Sequence, residues 1–184
     1  MFEQEKSQKN TSKTYRLTAM ALMAAVTSVM AQIAIPMPAG VPMTLQTFAV
    51  TLAGIVLGSK YGALSMLIYV LMGAVGLPVF SSFSGGLGML VGPTGGFLIS
   101  FPIMAFIVGQ GCSHIKKNPI LFWGFITIGT IVNYVFGTIV FCLSTGATPA
   151  SGIAACVIPF IPTTVVKLVL AGILGRRLRQ FLSI

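Results

Sequence analysis

One lysine, Lys167, stands inside the apolar run P-F-I-P-T-T-V-V-K-L-V-L from Pro159 to Leu170. An ammonium at the centre of a membrane helix costs about 2.5–3.5 kcal/mol on insertion scales, and by default such a group marks a substrate or ion pathway. The two acids of the chain, Glu3 and Glu5, both lie in its polar first residues, so the apolar part offers no ion-pair partner. The chemistry this implies is capture of an anion, with the ligand supplying the missing counter-charge. Thr163 and Thr164 precede Lys167 by four and three positions and share its helical face, adding neutral hydrogen-bonding groups. From Lys167 to Arg176 is about 14 Å of helix, whereas a lysine stem reaches only about one turn, which disfavours snorkelling to the interface. Catalysis would want paired acids, a metal cluster or a nucleophile with a base, and the sequence carries none of these. His114 is the single histidine, and Cys112, Cys142 and Cys156 lack C-x-x-C spacing, so neither a metal site, a disulfide nor a cofactor is expected.

The elements that must hold this lysine are membrane helices. With 55% apolar and only 7% charged residues, the 184-residue chain lies far outside soluble usage. Its net charge of +9 does not point to nucleic acid, because the basic residues form short clusters between apolar runs. That is the pattern of cytoplasmic loops on a spanning protein. Residues 17–35 are too long for a signal-peptide h-region and no A-x-A-like cleavage site follows, so they are expected to remain as a span.

The expected organisation is a polar basic cytoplasmic N-terminus over residues 1–16 and a single membrane domain over residues 17–184. Segment one, residues 17–35, is about 28 Å long as a helix, close to the hydrocarbon thickness. Ala21 and Ala25 on it form a small-xxx-small pair, open to packing within the chain or against another subunit. Pro36, Pro38 and Pro42 then force an extracytoplasmic loop leading into M-T-L-Q-T, with Thr44 and Gln46. Residues 45–58 and 62–77 are each short for a span and flank Lys60. Crossing once, they would put Lys60 near mid-bilayer and Lys116 and Lys117 opposite the N-terminus. Crossing twice, they place every basic residue except Lys167 on one side, from Lys6, Lys9, Lys13 and Arg16 to Arg176, Arg177 and Arg179. The positive-inside rule makes that side the cytoplasm. The expected fold class is therefore an all-α membrane protein of six transmembrane helices, both termini cytoplasmic, with the substrate pocket toward the extracytoplasmic side.

Residues 78–96, P-V-F-S-S-F-S-G-G-L-G-M-L-V-G-P-T-G-G, are too rich in glycine for a regular helix and are expected to fold over a site on the outer side. A phosphate cradle is excluded, since no G-K-[ST] ending follows. Segment four (97–112) ends at the basic turn H-I-K-K-N-P, and segment five (121–143) carries Asn133 and Tyr134 at its middle. Asn133 reads first as glue between helices and second as a ligand contact. Trp123 reads as an interfacial anchor. Segment six begins near Ile153, interrupted by Pro159 and Pro162. The residues that carry polar atoms toward one pocket are thus Lys167, Thr163 and Thr164, the loop residues Ser82, Phe83, Ser84, Gly85 and Gly86, and Thr44 and Gln46.

V-P-M-T-L-Q-T-F after the first span, K-Y-G-A-L after the second, G-L-P-V-F followed by S-G-G-L-G and G-P-T-G-G, and P-F-I-P-x-x-x-x-K in the last helix resemble the BioY family. Its members are biotin-binding S components of energy-coupling-factor (ECF) transporters. The resemblance covers nearly everything from segment one to the C-terminus. It implies six helices, capture of biotin on the outer side of the cell membrane, and partnership with a transmembrane T subunit and two ATPases. It places the family's binding lysine on Lys167, a loop position that is often Asn on Ser84, and a common acid on Thr164; Ala21 and Ala25 fall on the face that contacts the T subunit. A neutral hydroxyl at Thr164 leaves the lysine less compensated than an acid would. Biotin also suits the residues taken alone, having a carboxylate, an apolar bicycle and a hydrogen-bonding ureido group. Without an intramembrane acid the chain lacks the usual proton relay of a secondary transporter, and it has no ATP motif. A stand-alone facilitator, or a binder of a related small amphipathic anion, is the alternative; an enzyme or a nucleic-acid binder is not expected.

Overall fold

The computed structural model describes residues 2–38, 40–115 and 117–181, with side chains from Lys13 onward among them. The side chains of Glu3, Glu5, Lys6 and Lys9, and Lys116 as a whole, lie outside the described residues. The long helices are α1 (Phe2–Gln32), α2 (Gln46–Ala74), α4 (Gly95–Gln110), α5 (Pro119–Thr145) and α7 (Ile161–Phe181). Two short ones, α3 (Leu87–Val91) and α6 (Pro149–Cys156), lie before α4 and α7. The only strands among the described residues are β1 (Ala34–Ile35) and β2 (Met43–Thr44), an antiparallel pair in which Ala34 faces Thr44. Among the described residues, five stretches are long and apolar enough to cross a membrane, α2 counting as one and α6 with α7 as another.

Element α2 does not run straight. Gly58 within it has φ 80° and ψ 179°, a backbone region essentially confined to glycine, and the chain reverses there. In a continuous helix Gln46 and Tyr69 would be about 34 Å apart, yet Gln46 Nε2 donates to Tyr69 Oη at 2.6 Å. A Cβ added to Gly62 would stand 3.0 Å from the Ala53 carbonyl oxygen. Two arms, 46–57 and 59–74, therefore lie side by side. The reversal strands carbonyls at the end of the first arm, and side chains satisfy them, as a dry setting requires. Arg179 Nη1 donates to Ile55 O at 2.7 Å and Val56 O at 3.3 Å, and Cys112 Sγ to Ile55 O at 3.1 Å.

Small residues let the helices approach. A Cβ at Gly54 would stand 2.7 Å from the Ala105 carbonyl oxygen, and one at Gly109 would collide with the backbone of Ser59, so α2 and α4 meet almost backbone to backbone. Across α1 and α2, Ser65 Oγ donates to Met20 O at 2.7 Å. The central aromatic packing is Tyr69 edge-on to Phe80, centroids 5.6 Å apart, with Phe101 beyond.

Several boundaries differ from the sequence reading. Helix α1 begins at Phe2, so the polar stretch from residue 2 is helical and continuous with the apolar part of α1, which is long and apolar enough to cross a membrane from Lys13 to Gln32; α1 stops there because residues 34–35 pair with 43–44. The glycine-rich stretch is more regular than expected: it contains a 3-10 turn (Ser81–Phe83), α3 and the start of α4. Glycine there serves close approach, since a Cβ at Gly95 would collide with the Leu90 carbonyl. The last segment breaks at a 3-10 turn, Ile158–Phe160, with Pro159 inside it and Pro162 in the first turn of α7, positions proline tolerates.

Gly58→Ala should cost about 1–3 kcal/mol of stability, the usual size of such backbone strain, measured by thermal unfolding in detergent. Gly124→Ala, where an added Cβ meets nothing within 4 Å, is the control and should be neutral or slightly stabilising. Equal behaviour of the two variants would contradict the strained reversal.

Candidate functional site

The buried positions of α7, Thr164, Lys167, Ala171, Gly172 and Gly175, recur at helical spacing and form its inward face. Lys167 is 7% exposed. Its Nζ donates to the Thr44 carbonyl at 3.1 Å, tying the last helix to the loop after the first. That carbonyl is itself held by a relay. Thr44 Oγ1 donates to Gln46 Oε1 at 2.8 Å, Gln46 Nε2 to Tyr69 Oη at 2.6 Å, and Tyr69 Oη to the Val79 carbonyl at 3.1 Å. An ammonium has three donors, and Thr44 O is the single acceptor bonded to it among the described residues. No carboxylate side chain is among the described side chains.

Lys167 lines an internal cavity of about 60 Å³. Its apolar walls include Phe80, Phe97, Phe101 and Phe160, and its polar walls include Thr44, Gln46, Thr47, Asn133 and Tyr134. Asn133 is fully buried in α5. Its Nδ2 donates to Phe97 O at 3.0 Å and to Ser100 Oγ at 2.8 Å, which fixes the orientation of the amide because a carbonyl can only accept. Asn133 Oδ1 is thereby left buried with no partner, as is Thr47 Oγ1. An unmet buried acceptor costs about 1–3 kcal/mol and is a reason to expect a ligand donor. The wall thus offers one cation and one neutral acceptor among aromatic rings.

A second, more open cleft of about 390 Å³ adjoins the cavity, and the two share Pro42, Ser81, Met89 and Thr94. Ser82 and Ser84 line this cleft and not the inner cavity. Ser84 Oγ donates to Ser81 O at 2.7 Å. Phe83 is 72% exposed and lines neither space. Gly85 and Gly86 dock the loop: a Cβ at Gly85 would strike the Leu77 carbonyl, and Gly86 N–H donates to Gly73 O at 2.7 Å. Thr163 is half-buried with its hydroxyl on Phe160 O at 3.0 Å. Thr164 is buried, its hydroxyl 2.5 Å from Tyr134 Oη, so it reaches the cavity through that ring. Of the residues singled out from sequence, Lys167, Thr44 and Gln46 share the inner cavity, and the loop residues stand above it or brace it.

Sequence reasoning missed the aromatic wall, although Phe97 and Phe101 at i, i+4 carried a signal. It also passed over Gln32, whose amide clamps the loop: Nε2 donates to Phe80 O at 3.0 Å while Oε1 accepts from Phe83 N–H at 2.8 Å. Ser82 and Phe83 have φ of 56° and 55°, values uncommon outside glycine, so this clamp holds an unusual backbone. Ala21 and Ala25 are exposed on α1, while Ala24 between them is buried. Packing within the chain therefore does not account for that pair.

A sequence model of the BioY family matches residues 4–184. The chain belongs to the BioY family. It is 42% identical over 167 residues to the probable biotin transporter BioY of Pyrococcus horikoshii, covering 91% of this chain and 98% of that one. The biotin transporter BioY2 of Lactococcus lactis is 35% identical, with 94% of each chain covered. A crystal structure of the S-component for biotin from an ECF-type ABC transporter superposes with a TM-score of 0.85 at 28% identity, covering 93% of this chain and 94% of the other. The BioY fold thus carries Lys167 at the meeting of α7 with the loop before α2.

Lys167→Met should stabilise the ligand-free protein, by about 1–4 kcal/mol if it follows other replacements of buried charges by apolar groups of similar size. The check is thermal unfolding without ligand; a destabilised Met variant would mean that the Thr44 bond outweighs the burial of the charge.

Proposed function

We propose that this chain is the membrane-embedded, biotin-capturing S component of an ECF-type importer. The observation that carries the reading is the cavity wall itself, which sets the Lys167 ammonium and the orphaned Asn133 Oδ1 among aromatic rings. Biotin supplies a carboxylate, two ureido N–H donors and an apolar bicycle, the complement of that wall. Family membership and the relatives named biotin transporters support the same ligand. Lys167, Thr44 and Gln46 are the inner-site residues in this proposal, with Asn133 and Tyr134 added. Thr163 and Thr164 brace it, Ser82 and Ser84 line the cleft that adjoins it, Gly85 and Gly86 dock their loop against α2 and the turn after it, and Phe83 is the exposed tip of that loop. The inner cavity admits only a few waters at about 10–15 Å³ each, so the partition of Pro42, Ser81, Met89 and Thr94 must shift to take in the ligand.

In the same proposal the chain crosses the cell membrane six times with both termini cytoplasmic. The reversal at Gly58 supports two crossings by the arms of α2. The distribution of charge supports the orientation: Arg16 Nη1 donates to Tyr61 Oη at 2.9 Å, Arg179 caps the Gly58 reversal, and Lys117 shares a cleft with Arg176 and Arg179. Basic side chains thus gather at the end away from the cavity, as positive-inside requires. The exposed Ala21 and Ala25 are the proposed contact with a transmembrane T subunit, which with two ATPases would supply energy.

Purified protein should bind biotin in calorimetric titration, and biotin methyl ester should compete poorly if the ammonium meets the carboxylate. Lys167→Met and Asn133→Leu should each weaken biotin at least tenfold. Absence of biotin binding in the unaltered protein would sink the assignment, and unchanged affinity in either variant would remove that residue from the site. Uptake of labelled biotin should be concentrative only with the T subunit and ATPases co-expressed; full accumulation without them would favour the stand-alone facilitator.

A further inference from the structure

At the end of the molecule away from the biotin site, a cleft of about 350 Å³ opens between the turn after α4 and the end of α7. Cys112, Ser113 and Ile115 form one side, and Arg176, Arg179 and Gln180 the other, with Lys117 at the turn. It collects three cations, and no described side chain is a carboxylate. Arg179 is accounted for by the Ile55 and Val56 carbonyls. Arg176 is not. Its guanidinium lies over the Phe122 ring at 4.3 Å and the Trp123 ring at 5.2 Å, and its Nε and Nη2 are buried without a hydrogen-bond partner. These two nitrogens form one edge of the guanidinium, covered in the ligand-free chain; once the side chain turns from the rings into the cleft, the parallel N–H bonds of that edge fork onto two oxygens of a phosphate or carboxylate.

The surroundings choose between those acids. Ile120 and Phe181, 84% and 83% exposed, stand on the helices that flank the cleft, and Leu121 and Leu178 are exposed beside them. A cationic cleft with apolar flanks at the end of membrane helices matches an amphiphile that carries a phosphate and acyl chains. We infer that this cleft binds the phosphate headgroup of an anionic phospholipid, through the Arg176 fork and Lys117. Placing that lipid in the cytoplasmic leaflet rests on the topology proposed above; the phosphate site itself does not.

Trp123 is the only tryptophan of the chain and stacks on Arg176, so its fluorescence reports on the cleft. The full chain in a neutral detergent is titrated with short-chain phosphatidylglycerol, with phosphatidylcholine and with inorganic phosphate. A saturable change in Trp123 emission is expected with phosphatidylglycerol, at least fivefold weaker with phosphatidylcholine. Arg176→Gln should abolish it. Lys117→Gln, at an exposed position, should raise the half-saturating lipid concentration at least fivefold. Equal responses to both lipids, no response, or unaltered responses in both variants would overturn the proposal. Inorganic phosphate acting alone with equal affinity would overturn the lipid in favour of a free anion. Biotin titrations on the same samples keep the two sites apart: Lys117→Gln should bind biotin normally, and a lipid response without biotin binding would count against the proposed function alone.

Discussion

The bond from Lys167 Nζ to the Thr44 carbonyl joins residues 123 positions apart, and the cavity end of the molecule is arranged around it. A buried ammonium must find oxygen, and with no carboxylate in the apolar sequence it takes a main-chain carbonyl. A carbonyl is a partial charge, so the lysine is hydrogen-bonded but not neutralised. Holding the carbonyl in place requires the relay through Gln46 and Tyr69 to Val79, and that relay exists only because the chain reverses at Gly58 and brings the two arms of α2 together. The loop before α2, both arms of α2 and α7 are thereby coupled through one chain of polar groups.

The same need to satisfy polar groups in a dry medium divides the molecule into two ends. At the reversal, stranded carbonyls draw the guanidinium of Arg179, which places cationic residues of α7 beside the turn after α4. At the other end, Asn133 spends its amide nitrogen joining α5 to α4 and leaves its oxygen over. Glue between helices and a ligand contact were alternatives in the sequence; the geometry lets one side chain serve as the first and remain free for the second.

Much of this was legible in the sequence, for physical reasons that can be named. Hydropathy and length marked the spans because a bilayer tolerates few other patterns. The place of Lys60 between two short apolar runs, with basic residues gathered on one side, pointed to a reversal that the Gln46 to Tyr69 bond makes explicit. Less legible was the status of each polar loop residue. Ser84 and Ser82 line the outer cleft, Phe83 faces outward, and Gly85 and Gly86 brace the loop against α2, because hydroxyl and glycine content shows that a loop is irregular without showing which way it turns.

The sequence by itself determined that this is a membrane protein of the BioY family with one cation, Lys167, inside its last apolar run, since composition, motif spacing and the confinement of both acids to the first residues are one-dimensional facts. Only the tertiary structure decided what that cation touches and which groups stand opposite it. Thr44 from β2 and Asn133 and Tyr134 from α5 come together beside Lys167 of α7, three separate elements, and Thr164 turns to Tyr134. Hydrogen-bond pairing depends on distances of a few ångströms between residues far apart in the chain, a quantity that neither periodicity nor composition encodes.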